Sequence, residues 1–244
     1  MKRFIVLFFV LSTLIFSTKL FSQSEDVNKL GIGISLDPSR IGHASYYLFN
    51  GQISSTSITE TNASPIMFYV PVNLTKNFRL EPSFGLFTMN YSTTTTPTYP
   101  GSYTTTTTNS GSTITIGLRT VYLASLSHSF GLYFGPRIDF SFISSSNGTP
   151  QVIGINNVTV LVMYNTDITE TDINFGGVFG AEYFPISHIS LGGEVSFNYT
   201  TFGNPSITSN TDPPQPSPIY NTTNERTQYS FHTDALFFLR WYFL

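Results

Sequence analysis

Tyr229-Ser230-Phe231-His232-Thr233-Asp234-Ala235-Leu236-Phe237-Phe238-Leu239-Arg240-Trp241-Tyr242-Phe243-Leu244 close the chain, and they alternate. Tyr229, Phe231, Ala235, Phe237, Leu239, Trp241 and Phe243 fall on one parity, whereas His232, Asp234 and Arg240 fall on the other. In a β-strand successive side chains point to opposite faces, so this period of two predicts a strand with one aromatic face and one face that accepts charge.

Seven earlier segments repeat the pattern. Their apolar members are Leu30, Ile32, Ile34 and Leu36; Ile66, Phe68, Val70, Val72 and Leu74; Phe78, Leu80, Phe84 and Leu86; and Ile114, Ile116, Leu118 and Tyr122. Then come Phe130, Leu132, Phe134, Ile138, Phe140 and Phe142; Ile173, Phe175, Phe179, Ala181 and Tyr183; and Ile189, Leu191, Val195, Phe197 and Tyr199. A tilted strand needs about 9 to 11 residues to cross a bilayer, and each run has that order of length. The connections Thr75 to Asn77, Ala124 to Ser129 and Pro185 to Ser187 are short, and the others are long. Short turns at one end and long loops at the other predict an all-β, eight-stranded antiparallel up-and-down transmembrane β-barrel with short periplasmic turns and long extracellular loops.

Composition points the same way. Charged residues make up 10% of the chain, against roughly 25% in ordinary soluble domains. Aromatic residues make up 16%, including 23 Phe and 14 Tyr. Met1-Lys2-Arg3, an apolar stretch from Phe4 to Phe16 and polar residues through Ser24 have the order of a secretory signal peptide. Residues 1–23 are therefore expected to be cleaved, leaving 24–244 as the barrel domain. Removal of Lys2, Arg3 and Lys19 leaves 8 basic against 14 acidic residues, a net charge of −6 that argues against nucleic acid as a partner. The chain has no cysteine, hence neither a disulfide framework nor a lipidated Cys to anchor it.

Charge placement separates a membrane barrel from a soluble one. Lys29, Arg79, Arg119, Arg137 and Arg240 lie on the parity opposite the apolar stripe, and no acidic residue lies on the stripe. Lys or Arg facing the bilayer midplane costs roughly 2 to 4 kcal/mol, so exclusion of charge from that face is what lipid would select. An eight-stranded lumen is only just wide enough for side chains. The stripe is crowded with Phe, while the other parity carries Gly31, Gly33, Gly85, Gly117, Gly131, Gly135, Gly176, Gly180 and Gly192, so the large residues belong outside.

The ending Leu239, Trp241, Phe243 resembles the C-terminal sorting strand of outer-membrane barrels, with Leu244 one residue beyond the usual final aromatic. On this ending and the eight alternating segments, the chain resembles the small OmpA/OmpX-type outer-membrane β-barrel domains, in the form seen in Bacteroidetes-like bacteria. The resemblance implies residence in the bacterial outer membrane. Its implied partners are outer-membrane lipid, lipopolysaccharide and, during biogenesis, the barrel-insertion machinery.

The inward charges are expected in two layers: Arg119, Arg137, Asp139, Glu194 and Asp234 near mid-depth with His232 a little above, and Lys29, Arg79, Glu81, Glu182 and Arg240 near the periplasmic end. A salt-bridge network is the expected use of such charges in a narrow interior. Leu236 and Phe238 are expected beside Gly31 and Gly33 across the closing seam. Pro71, Pro82 and Pro136 interrupt three strands; one shared bulge is expected to absorb the first two, and nothing in the sequence accommodates Pro136.

The chain offers no catalytic, cofactor or metal constellation, for its four His (His43, His128, His188 and His232) are scattered and no serine has a distinctive setting. The Thr-rich stretch Ser92 to Thr115 and the Pro-rich stretch Asp212 to Pro218 read as flexible surface decoration, with Tyr46, Tyr47, Tyr99 and Tyr103 exposed in the long loops for partner binding. Val152 to Tyr164 is β-branched enough to prolong the fifth and sixth strands. The expected function is a non-enzymatic barrel that displays surface loops for envelope integrity or adhesion toward an unidentified extracellular ligand. A narrow solute or ion channel is the alternative, and an enzyme of envelope lipids a distant third.

Overall fold

A computed structural model describes residues 30–37, 66–95, 104–125, 127, 129–155, 158–212, 220–223, 225 and 227–243. The expected signal peptide, Lys29, His43, His128 and the four loop tyrosines lie outside the described residues.

The described strands are β1 (Gly31–Leu36), β2 (Ile66–Tyr69), β3 (Val72–Thr75), β4 (Phe78–Thr95), β5 (Thr105–Ser125), β6 (Phe130–Ile155), β7 (Val158–Ile186), β8 (Ile189–Thr201), β9 (Ser206–Asp212), β10 (Tyr220–Thr223) and β11 (Tyr229–Tyr242). All pairings are antiparallel, and β11 pairs with both β8 and β1, closing the sheet into a ring. β2 and β3 are two halves of one strand between β1 and β4, so the ring has the expected eight members.

The prolines act differently from the shared bulge expected of them. Tyr69 faces Ser83 and Val72 faces Leu80, so the register against β4 is unchanged across Val70 and Pro71. The Val70 N–H donates to the Pro82 carbonyl at 3.0 Å, and the Gly31 N–H to the Pro71 carbonyl at 3.0 Å. Proline has no N–H to return either bond, so each costs one rung of the ladder and no register. The irregularity sits nearer the turn, between Asn73 and Thr75. There the Thr75 hydroxyl accepts from the backbone N–H groups of Asn77 and Phe78. Pro136 stays paired with Gly177 on β7. Toward β5 the pairing lapses between Arg119–Arg137 and Tyr122–Phe134 and resumes in the same register. A Cβ at Gly135 would overlap the Thr120 carbonyl, so the two strands press together where the missing N–H leaves no bond to make.

The two faces separate as the alternation requires. Ile32, Phe68, Phe84, Ile116, Phe134, Phe179, Leu191, Phe197, Phe237 and Trp241 are exposed on the outside. Arg79, Glu81, Arg119, Asp139, Glu182, Glu194, Asp234 and Arg240 are buried inside, together with an apolar cluster of Met67, Tyr69, Val121, Tyr133, Val178, Leu236 and Phe238. Glycine makes room for the largest of these: a Cβ at Gly180 would overlap the Tyr133 ring, and one at Gly192 the Phe238 ring. The closing seam differs from the expected register, because Gly31 faces Tyr242 and Gly33 faces Arg240. Phe238 instead lies between Ser35 and Gly192. This register sets two long inward side chains of β11 against the two glycines of β1.

Above the ring the sheet continues. β4 and β5 pair from Phe78–Tyr122 up to Thr95–Thr105, so the Thr-rich stretch expected to be flexible is, over its described residues, a continuation of two paired strands. A run of threonines suits this position, because the branched side chain packs against its cross-strand neighbour on a pleated surface while its hydroxyl tolerates water. β6 and β7 pair up to Ile155–Val158, as their β-branched residues suggest. β9 joins the upper part of β7 from Met163 to Thr169, and β10 pairs with β9. The Pro-rich residues 213–219 lie outside the described residues.

Candidate functional site

Arg79, Glu81, Arg119, Glu182, Glu194 and Arg240 of the expected charge layers form one connected column, and Arg137, Asp139, Asp234 and His232 form a second set above it. Glu81, on β4, is the column's hub. Its carboxylate meets Arg119 Nε at 2.7 Å, Arg240 Nη2 at 3.1 Å and Arg79 Nη1 at 3.3 Å. Glu182, on β7, meets Arg79 Nη1 at 2.9 Å and Arg240 Nη1 at 3.3 Å, and it accepts hydrogen bonds from the hydroxyls of Ser190 and Tyr242. Arg119 reaches upward to Glu194 at 2.5 Å, where the Tyr133 hydroxyl also donates at 2.7 Å. Arg119 thus joins the two layers, and Arg79, Arg119 and Arg240 balance Glu81, Glu182 and Glu194.

Aromatic rings complete the packing. The Arg119 guanidinium lies 4.1 Å from the Tyr69 ring centroid, Arg240 lies 3.8 Å from that of Phe238, and Arg79 lies 5.3 Å from that of Tyr242. Planar guanidinium groups can stack on rings while their edges hold carboxylates, which is why arginine rather than lysine suits such a column. Arg240, Glu81, Tyr133 and Val121 have no exposure at all.

Arg137, expected in the same layer as Arg119, is its direct ladder partner. Like charges opposite each other repel. The conflict is resolved by turning them apart: Arg119 is held by Glu81 and Glu194, whereas Arg137 pairs with Asp139 at 2.5 Å and donates to Ser196 at 3.4 Å. Asp139 also accepts from Asn174, and Asp234 accepts from Asn198 at 2.8 Å. His232 Nε2 lies 3.6 Å from Asp234 Oδ2 at the upper end of the lumen. At the opposite end, His188 Nδ1 lies 2.7 Å from Ser187 Oγ on the exposed β7–β8 turn, on the far side of the column from Asp234. Neither arrangement joins a nucleophile, a base and an orienting acid.

Tyr69, Tyr133, Tyr242, Ser190, Asn174 and Asn198 join this network without having been expected from sequence. Parity alone places all six inward, but which charge each one meets follows only from the register. Leu239, Trp241 and Phe243, the expected sorting residues, are all exposed along the outside of the final strand segment. No group of His, Cys, Asp and Glu with metal-binding geometry occurs among the described residues.

No protein-family model matches the chain, and no curated protein is similar to it in sequence. Among solved structures it is similar to the crystal structure of CarO from Acinetobacter baumannii, with 10% identity, 88% of this chain and 98% of that chain covered, and a TM-score of 0.41. The crystal structure of CarO2 from the same organism aligns with 9% identity, 90% and 100% coverage, and a TM-score of 0.38.

Proposed function

We propose that the chain is an integral outer-membrane β-barrel protein with a closed lumen, whose role is to hold a rigid polar sheet at the cell surface for envelope integrity or adhesion. The observation that carries this reading is the segregation of the ring: exposed Phe, Leu, Ile, Val and Trp outside, and its charges inside. Exposed apolar surface on a soluble monomer is normally broken into patches of a few hundred Å². A continuous apolar girdle around a closed barrel, which has no open backbone edge, is what hydrocarbon demands.

The column from Arg79 to Glu194 supports a plug rather than a passage. An ion moving through it would have to displace guanidinium–carboxylate contacts of 2.5 to 3.3 Å that fill the section together with Tyr69, Tyr133 and Phe238. In the proposed role the barrel serves as an anchor. Planar-bilayer recording of the refolded protein tests this reading. The expected result is insertion without discrete conductance steps, and steady unitary currents would replace the plug with a channel.

A further inference from the structure

Above the ring, the face of the sheet formed by β4, β5, β6 and β7 carries an open cleft of about 330 Å³. Its lining is Asn90, Ser92, Thr108, Asn109, Ser110, Ser146, Gly148 and Asn165. Apart from Asn109, whose side chain points to the opposite face, the ladder sets these residues in two adjacent rows on one face. Ser92 faces Thr108, Thr108 faces Gly148, and Gly148 faces Asn165. In the neighbouring row, Asn90 faces Ser110, which faces Ser146. Gly148 forms the floor, since a Cβ there would stand 2.8 Å from Thr108 Oγ1 and 3.1 Å from Asn165 Oδ1.

From this lining we infer that the cleft is a binding site for a neutral saccharide, an inference that rests on the proposed surface exposure of the sheet. The volume lies in the range of small-molecule sites. Among the described residues no Lys, Arg, Asp or Glu lines the cleft, which disfavours an ion, and its lining is polar save for the Met163 methyl beside the Gly148 floor, which disfavours a lipid tail or an aromatic ligand. What remains is a set of hydroxyls, which both donate and accept, and carboxamides, which present a donor and an acceptor side by side. Sugar hydroxyls have the same dual capacity, and adjacent ones are spaced to engage a carboxamide. An extended peptide is a poorer occupant, because the cleft lies on the face of the sheet where β5, β6 and β7 are each bonded to a strand on both sides and offer an occupant side chains alone.

Maltotriose, mannotriose and chitotriose, presented to the detergent-refolded full chain and followed by saturation-transfer NMR, test the inference. At least one should bind, with weak affinity in the range of roughly 1 mM expected of a shallow polar site. Gly148→Val, which fills the floor, should weaken that binding at least about tenfold, or 1.4 kcal/mol. Asn165→Ala, which removes a polar group without adding bulk, should weaken it less while leaving the same sugar preferred. Retention of the heat-modifiable electrophoretic shift by both variants separates loss of the site from loss of the barrel. Binding of none of the sugars by wild type, equal binding by Gly148→Val, or binding only of a Ser/Thr-rich peptide would overturn the inference. A wild-type chain that binds sugar but fails to insert into liposomes would instead refute the membrane reading and leave the site standing.

Discussion

β4 and β5 pass through two different worlds. Between Phe78 and Ser83, and between Gly117 and Tyr122, they hold Arg79, Glu81 and Arg119 in a dry column where each charge has named partners at fixed distances. Higher up, the same two strands carry Ser92, Thr94, Thr106 and Thr108 in water, and Thr94 Oγ1 and Thr106 Oγ1 lie 3.1 Å apart. Backbone pairing is equally regular in both regions. The difference is that enclosure makes each polar group depend on its neighbour, whereas the open hairpin needs only strand propensity.

Substitution at the hub should give the largest effect. Glu81→Ala strips a counter-charge from Arg79, Arg119 and Arg240 together, and breaking one side of a buried pair costs on the order of 3 to 5 kcal/mol. Urea unfolding in liposomes should register this loss; an unchanged midpoint would mean that water reaches the column. Outside the ring the sign of the chemistry reverses. Phe134→Arg should cost roughly 2 to 4 kcal/mol by placing a charge in hydrocarbon, while Phe134→Leu should stay below about 1.5 kcal/mol. Equal tolerance of both in the same assay would remove the lipid from around Phe134.

Crowding ranks next. At Gly180 even one methyl group overlaps the Tyr133 ring, whose hydroxyl holds Glu194. Gly180→Ala should therefore destabilise by about 1 to 3 kcal/mol through overpacking. Gly177, on the outer face of the same strand, has open space within 4 Å of the position a methyl group would take, so Gly177→Ala should be close to neutral and serves as the matched control. The smallest effect belongs to the upper hairpin, where Thr94→Ala should shift stability by no more than about 0.5 kcal/mol. A larger shift there would show that the hairpin is packed against something.

The same contrast explains what can be read from sequence. Alternation such as Phe130, Leu132, Phe134 and Ile138, Phe140, Phe142 fixes which face is apolar, and the Lys76, Ala124–Ser129 and Pro185–Ser187 turns fix strand order. Both are local signals. Register across the seam is not local, and there the expectation fails: Gly33 meets Arg240 rather than Leu236 or Phe238, because the ring must fit its long inward side chains to its glycines. Partner choice within the column follows from that register, so the sequence marks Arg119 as an inward charge but not as the link between Glu81 and Glu194. β9 and β10 escape notice because Ser206–Asp212 and Tyr220–Thr223 have no apolar face to alternate. The saccharide cleft is hidden for the same reason, since its residues read as ordinary loop serines, threonines and asparagines until pairing places them side by side.

The chain contains a single tryptophan, Trp241, exposed on the outer face of β11. Its fluorescence therefore reports on one defined point of the apolar girdle. In liposomes of phosphatidylcholine brominated along the acyl chain, Trp241 emission should fall strongly relative to unbrominated vesicles, and aqueous acrylamide should have little effect. Emission untouched by the brominated lipid and quenched by acrylamide would place the girdle in water and contradict the account.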